Sequence, residues 1–135
     1  MTASADGEET PGARLAAIYR LAGQRDWAAV EARCHPAFTV VEPPSIPYGG
    51  EWKGRDALRR VAEAMYGTWA SARVTILDIA GGAEWGVVVV RLEVTSKRTG
   101  RTFAQTICEA GRFEDGLLRE LRIHYFDTAE VAAEA

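Results

Sequence analysis

At 135 residues, 47% of them hydrophobic and 26% charged, the chain has the composition of one globular domain with room for a single well-buried core. The formal net charge of −3 and pI of about 5.4, with Lys and Arg scattered along the chain, argue against a nucleic-acid partner, which requires concentrated positive charge. No apolar run approaches a membrane span, and the opening MTASADGEETPG lacks the basic and apolar parts of a signal peptide, so a cytoplasmic protein without a membrane partner is expected.

Residues 1–12 read as a flexible tail, residues 13–127 as one domain, and residues 128–135 as a C-terminal tail, helical or frayed. Leu15, Ile18, Tyr19 and Ala22 fall at helical spacing, and Gly23 ends that run. Asp26 is suited to cap a second helix with Trp27, Val30 and Cys34 as its buried stripe, stopped by Pro36. A strand covers 38–42. The segment from Pro43 to Gly54, with three prolines and three glycines, reads as a stiff loop. Leu58, Val61, Ala62 and Met65 share one face of a third helix that ends at Gly67.

The remainder is β-rich over 72–80, 85–96, 102–113 and 117–127, with turn signals at Gly81-Gly82, Arg98-Thr99-Gly100 and Asp115-Gly116. Helices first and a meander after predict an α+β fold in which a curved sheet wraps a long helix. Cys34 and Cys108 are too few for a disulfide framework and read as free thiols. Neither they nor His35 and His124 have zinc-site spacing, and no metal or cofactor is expected.

Strand alternation then indicates what faces inward. Val88, Val90, Leu92 and Val94 form an unbroken apolar row; Leu121, Ile123 and Tyr125 form another, ended by Asp127. On 102–113 the apolar row is interrupted by Gln105 and Glu109, and on the first strand Glu42 follows Phe38 and Val40. Two carboxylates are therefore aimed at the concave side. Burial of an ionised carboxylate is unfavourable without a partner or a raised pKa. Each could instead reach water or pair with an arginine; alternation alone leaves both readings open.

The motifs FTVVEP, KGRDAL, ICEAGRFEDG and RIHYFD, in that order across residues 13–127, resemble those of the nuclear transport factor 2-like (NTF2-like) superfamily, which includes ketosteroid isomerase, the SnoaL-like polyketide cyclases and limonene-epoxide hydrolase. The resemblance implies a cone of three helices packed on a curved mixed or antiparallel sheet, a homodimer, and acid–base chemistry on a small hydrophobic carbonyl compound without a cofactor. On the isomerase pattern Glu42, before Pro43, matches the general base. Glu109, four residues before Phe113, matches the neutral acid, and Tyr125 matches a pocket aromatic. The tyrosine donor of that pattern falls on Ile18, with Tyr19 one place along and facing elsewhere.

Tyr48 and Trp52 are expected at the pocket mouth, held there with Glu42 by Pro43, Pro44 and Pro47, and Tyr48 or Tyr125 could supply the missing donor. Met65, Trp69, Gln105, Asp127 and, in second rank, His124 complete the expected substrate contacts; Trp27 and Tyr66 are read as cavity wall and core. Glu109, mid-strand, is expected to hold the proton while Glu42 stays ionised. Arg91-Leu92-Glu93 is similar to the Arg-x-Asp pair of the epoxide hydrolases, but alternation puts it on the outer face beside Val87, Val89 and Phe126, the expected dimer surface. Epoxide hydrolysis and ligand binding without turnover are the alternative functions.

Overall fold

The computed structural model describes residues 10–135, so most of the expected N-terminal tail lies outside the described residues. Helix α1 (Pro11–Gly23) starts earlier than its apolar stripe suggests. The Thr10 side chain accepts from the Ala13 N–H, and Pro11 occupies the first turn, where no N–H is required. Helix α2 (Trp27–Ala32) is capped by Asp26 as expected, but it stops before Cys34. Cys34 instead opens strand β1 (Cys34–Glu42), which pairs in parallel with strand β6 (Leu117–Tyr125). A register shift between Cys34 and Thr39 takes Pro36 out of the ladder, so the proline bends the strand rather than ending a helix.

The stretch expected to be all loop contains a short strand, β2 (Gly50–Lys53), antiparallel to β1. Helix α3 (Ala57–Thr68) follows, then strands β3 (Ser71–Gly81), β4 (Trp85–Thr95) and β5 (Thr102–Glu114) ahead of β6. The sheet order is β2-β1-β6-β5-β4-β3, an open and mixed six-stranded sheet. Its inner face carries the expected rows: Val88, Val90, Leu92 and Val94 of β4 are buried, as are Leu121 and Ile123 of β6. The helices lie on this face, α1 chiefly against β4 and α3 against β1 and β2. The architecture is α+β, as the order of elements predicts.

Two details shape the sheet. Asp115 (φ 53°) and Gly116 (φ 77°) turn the β5–β6 hairpin with consecutive left-handed residues, the geometry a two-residue hairpin prefers. Just beyond it, Arg112 pairs with Glu120 but Phe113 with Leu118, leaving Arg119 as an extra residue. The bulge exchanges the faces of β6, so Leu118 and Leu121 are both buried although strict alternation would separate them. At the other end, a Cβ on Gly86 would stand 2.4 Å from the Pro11 carbonyl oxygen, so only glycine lets α1 sit this close to β4.

The C-terminal residues form helix α4 (Thr128–Glu134), tied down rather than frayed. Asp127 caps it, Val131 is buried in the core, and Arg101 pairs with Glu130 and Glu134. Among the described residues no helix is long and apolar enough to cross a membrane.

Cys34 is buried and Cys108 exposed, both as free thiols, and burial pushes the Cys34 thiol up to about 12. A soluble thiol reagent should therefore modify Cys108 in the native protein and Cys34 only in denaturant. An intramolecular disulfide in the non-reduced protein would contradict this placement.

Candidate active site

A cavity of about 440 Å³ opens between the helices and the concave face of the sheet. Its walls are mostly apolar: Leu58, Val61 and Met65 from α3, Val90 and Leu92 from β4, Ile107 from β5 and Ile123 from β6. Into it project Glu42, Glu109, Tyr19 and Tyr125.

Strand register explains how the carboxylates meet. Glu109 is the Cα partner of Ile123, while Val41 of β1 is paired with Arg122, which sets the next residue, Glu42, level with Ile123 on the opposite side of β6. One strand separates them, so their Cα atoms are about 9–10 Å apart by two strand spacings, and both side chains point to the concave side. The apolar cavity thus holds the pair that alternation indicated.

Their environments differ. Glu42 is only 4% exposed, and its Oε1 is buried without a hydrogen-bond partner among the described residues. Burial, with the nearby Glu109 charge adding to it, pushes its carboxyl up to about 9. Glu109 is also raised by burial, but the Tyr19 hydroxyl donates to its Oε1 and favours the charged form, leaving it at about 7. Proton placement is therefore the reverse of the expectation from strand depth: Glu42 holds its proton and Glu109 ionises first. A hydrogen bond decides it, not depth.

Tyr19 overturns a second expectation. It lines the cavity, while Ile18, on the position matched to the isomerase tyrosine, is buried in the core. Tyr19 shares the α1 stripe with Leu15 and Ala22, so helical spacing alone contained the signal. Its hydroxyl is held neutral, raised by burial first and then by Glu109.

Tyr125 lines the cavity as expected, and Tyr48 and Trp69 stand behind it. Trp69 Nε1 donates to the Tyr48 hydroxyl at 3.3 Å, and the Tyr48 and Tyr125 hydroxyls are 2.9 Å apart. The Tyr48 oxygen accepts from Trp69, and either hydroxyl can donate in the contact between Tyr48 and Tyr125. Burial keeps Tyr125 a neutral donor.

Several expected contacts lie elsewhere. Tyr48 is buried behind the wall rather than at the mouth, because successive turns closed by Ile46 N–H to Pro43 O and Gly49 N–H to Ile46 O tuck it inward. Trp52 donates to the Tyr48 carbonyl oxygen and stacks near Arg60, outside the cavity lining. Trp69 is core, edge-on to Phe103.

Gln105 faces inward but is spent on α4, donating to Glu130 and accepting from the Asp127 N–H, and Asp127 is the cap of that helix. His124 is exposed on the outer face. Met65 does line the cavity, with Trp27 and Tyr66. Arg91 and Glu93 form an outer-face ion pair at 3.2 Å, away from the cavity. Among the described residues no three His, Cys, Asp or Glu side chains cluster as a metal site.

Both carboxyls are higher in the folded protein than in an unfolded chain, so the folded state binds more protons and loses stability as pH rises. The loss from Glu109 is complete above about 7, and that from Glu42 continues to about 9. Glu42→Gln should therefore raise the Tm by about 5 °C or more at alkaline pH, with little change below the ordinary carboxyl range. Equal shifts at both pH values would show that Glu42 is not an unpaired buried acid.

A SnoaL-like domain model matches residues 15–121. Among solved structures, the chain is similar to an NTF2-like protein from Burkholderia thailandensis, with 24% identity, 93% of this chain and 96% of that one covered, and a TM-score of 0.81. It is also similar to an NTF2-like protein of unknown function from Burkholderia pseudomallei (26% identity, 87% and 90% covered, TM-score 0.73). A third neighbour is IdmH from Streptomyces antibioticus, a candidate polyketide cyclase (17%, 92% and 96%, 0.71). A search of curated proteins finds no match. The match over most of the chain, on a cone of helices against a curved open sheet, places this protein in the SnoaL-like family of the NTF2-like fold.

Proposed function

We propose that the protein catalyses proton transfer on a small apolar carbonyl compound, isomerising it or closing a ring through its enolate, with no cofactor. The observation that carries this reading is one apolar cavity holding two buried carboxyls in different settings, Glu109 accepting from the Tyr19 hydroxyl and Glu42 with a buried oxygen that has no partner among the described residues. Environments that separate the pKa values of paired acids assign the acid and the base. Glu109, near neutrality, is matched to take a proton from carbon at working pH. Glu42, still protonated and with an unpartnered oxygen, is matched with Tyr125 to donate hydrogen bonds to the oxygen that becomes the enolate.

The proton on Glu109 then returns to another carbon of the substrate, which is isomerisation. Alternatively the enolate carbon attacks a second carbonyl in the same molecule, with Glu42 or Tyr125 protonating the new alkoxide, which is ring closure. The likeness to IdmH supports the second course. Relative to the isomerase pattern, base and acid have exchanged places across β6.

Deuterium exchange into β-tetralone, a small ketone with acidic α-hydrogens, followed by NMR, tests the proposal. The protein should accelerate exchange, and Glu109→Gln should reduce it about 10²–10⁴-fold. Glu42→Gln, which keeps a donor, should cost less than Glu42→Leu. Exchange no faster than in buffer, or indifferent to Glu109, would favour a binding protein without turnover.

The pH profile provides a separate check. Activity should rise as Glu109 loses its proton through about 7 and fall as Glu42 loses its own through about 9. Tyr19→Phe removes the hydrogen bond that lowers Glu109, so the acidic limb should move to higher pH. An unmoved limb would take Tyr19 out of the mechanism.

For assembly, we infer a homodimer through the outer face of the sheet, supported by Phe126 standing 86% exposed beyond the end of β6. Light scattering should give about twice the 14.7 kDa chain mass. A monomer would remove this assignment.

A further inference from the structure

Strand register lays an apolar row straight across the concave face. Tyr125 of β6 is the Cα partner of Ile107 of β5, Ile107 is the partner of Val90 of β4, and Val90 of Ile76 of β3. All four line the cavity. Ile107 and Val90 are buried, whereas Ile76, at the edge of the sheet, is 38% exposed. Three strand spacings separate the ends of the row, so it is about 14 Å long. It contributes no polar side chain between Tyr125 and the edge.

Helix α3 roofs the row. It starts beside β2, where Arg60 donates to the Lys53 carbonyl oxygen. It ends beside β4, where the Ala70 N–H, two residues past the helix, donates to the Thr95 carbonyl oxygen. Leu58, Val61, Ala62 and Met65 form one stripe of the helix and all line the cavity, over a rise of about 10 Å. Tyr66, also 38% exposed, stands at the outer end of the roof as Ile76 stands at the outer end of the floor.

The open end of this groove needs a cover. Tyr66, Val74 and Ile76 together expose roughly 200 Å², a quarter of the ~800 Å² that each partner buries in a stable protein interface. That is too little for a second copy of the chain. It is also continuous with the cavity, since exposed Val74 and Ile76 are the Cα partners of buried Leu92 and Val90.

Resting on the proton-transfer reading of the same cavity, we propose that the substrate is a long-chain alkyl ketone. Its carbonyl meets Glu42 and Tyr125, and one unbranched chain follows Ile107 and Val90 and leaves past Ile76, between β3 and α3. The floor itself selects a chain over a row of fused rings. Neighbouring strands are rotated by about 20–25°, so the floor turns by on the order of 60° over three spacings. A flat ring system would have to twist about its long axis to stay in contact. An alkyl chain has nearly the same cross-section in every direction and adjusts through its torsions.

The test is a binding titration of 2-hexanone, 2-nonanone, 2-tridecanone and 2-pentadecanone below their solubility limits, read by tryptophan fluorescence, since Trp27 lines the cavity. Affinity should rise about threefold per added methylene up to 2-tridecanone, whose chain matches the row, and level off at 2-pentadecanone. The 2-nonanone chain reaches only as far as Val90. In Ile76→Ser the advantage of 2-tridecanone over 2-nonanone should fall about fivefold, and Ile76→Val should keep most of it.

Affinity that stops rising at 2-nonanone, or an advantage untouched by Ile76→Ser, overturns the chain subsite and leaves the proton-transfer reading intact. Tighter binding of 2-acetylanthracene than of 2-tridecanone overturns the alkyl class in favour of a rigid ring row. A native dimer that Ile76→Ser converts to a monomer assigns the open strip to a second copy and overturns the subsite too. The expected rise without catalysed deuterium exchange in 2-tridecanone or β-tetralone retains the subsite and removes the catalytic reading. Failure of all four ketones to bind overturns both.

Discussion

The hydrogen bond from the Tyr19 hydroxyl to Glu109 determines where charge resides in this cavity. Burial alone would drive both carboxyls toward the neutral form, and a pair of neutral acids has no base to offer. A phenol donor stabilises one carboxylate, and the resulting negative charge then helps to keep the other protonated. The division depends on α1 being held in place. Thr10 caps the helix, its buried side chains Leu15 and Ile18 lock its rotation, and Gly86 lets its first turn approach β4 closely enough for Tyr19 to reach β5.

Behind the site, polar side chains are spent on orientation. Trp69 and Tyr48 together hold the Tyr125 hydroxyl in place, at the expense of placing two large aromatic side chains in the core rather than against a ligand. The three prolines after Glu42 act through the same network, since the turns between Pro43 and Gly49 bury Tyr48 and bring its hydroxyl under Tyr125. Gln105 serves in the same way, as a buried amide that anchors the first turn of α4.

The fold was legible in the sequence because its strands alternate cleanly. The apolar row on β4 and the interruptions at Glu42 and Glu109 follow from side chains of a strand pointing to opposite faces. Alternation failed where a strand carries an extra residue, at Arg119, and where a proline sits inside a strand, at Pro36. The proton assignment was not legible. It turns on whether Tyr19 or Ile18 points into the cavity, and matching positions to a family pattern overrode the helical spacing that had already put Tyr19 on the right stripe. The residues beyond Tyr125 were misread for another reason: a strand-end acid and a helix cap look alike until the next turn of chain is seen.

The strands of this sheet are not equally held. β1, which carries Glu42, and β5, which carries Glu109, each have a hydrogen-bonded neighbour on both sides, whereas β3 is bonded only to β4. One wall of the cavity, at Val74 and Ile76, is therefore built on a ladder anchored along a single seam, and it is further loosened by the register shift between Ile76 and Asp78. Mutations there can widen or reshape the chamber while the acids on the doubly anchored strands keep their spacing. The carboxyl pair and the adjustable wall of the chamber thus sit on mechanically separate parts of one sheet, an arrangement in which the shape of the chamber can change while the pair is left undisturbed.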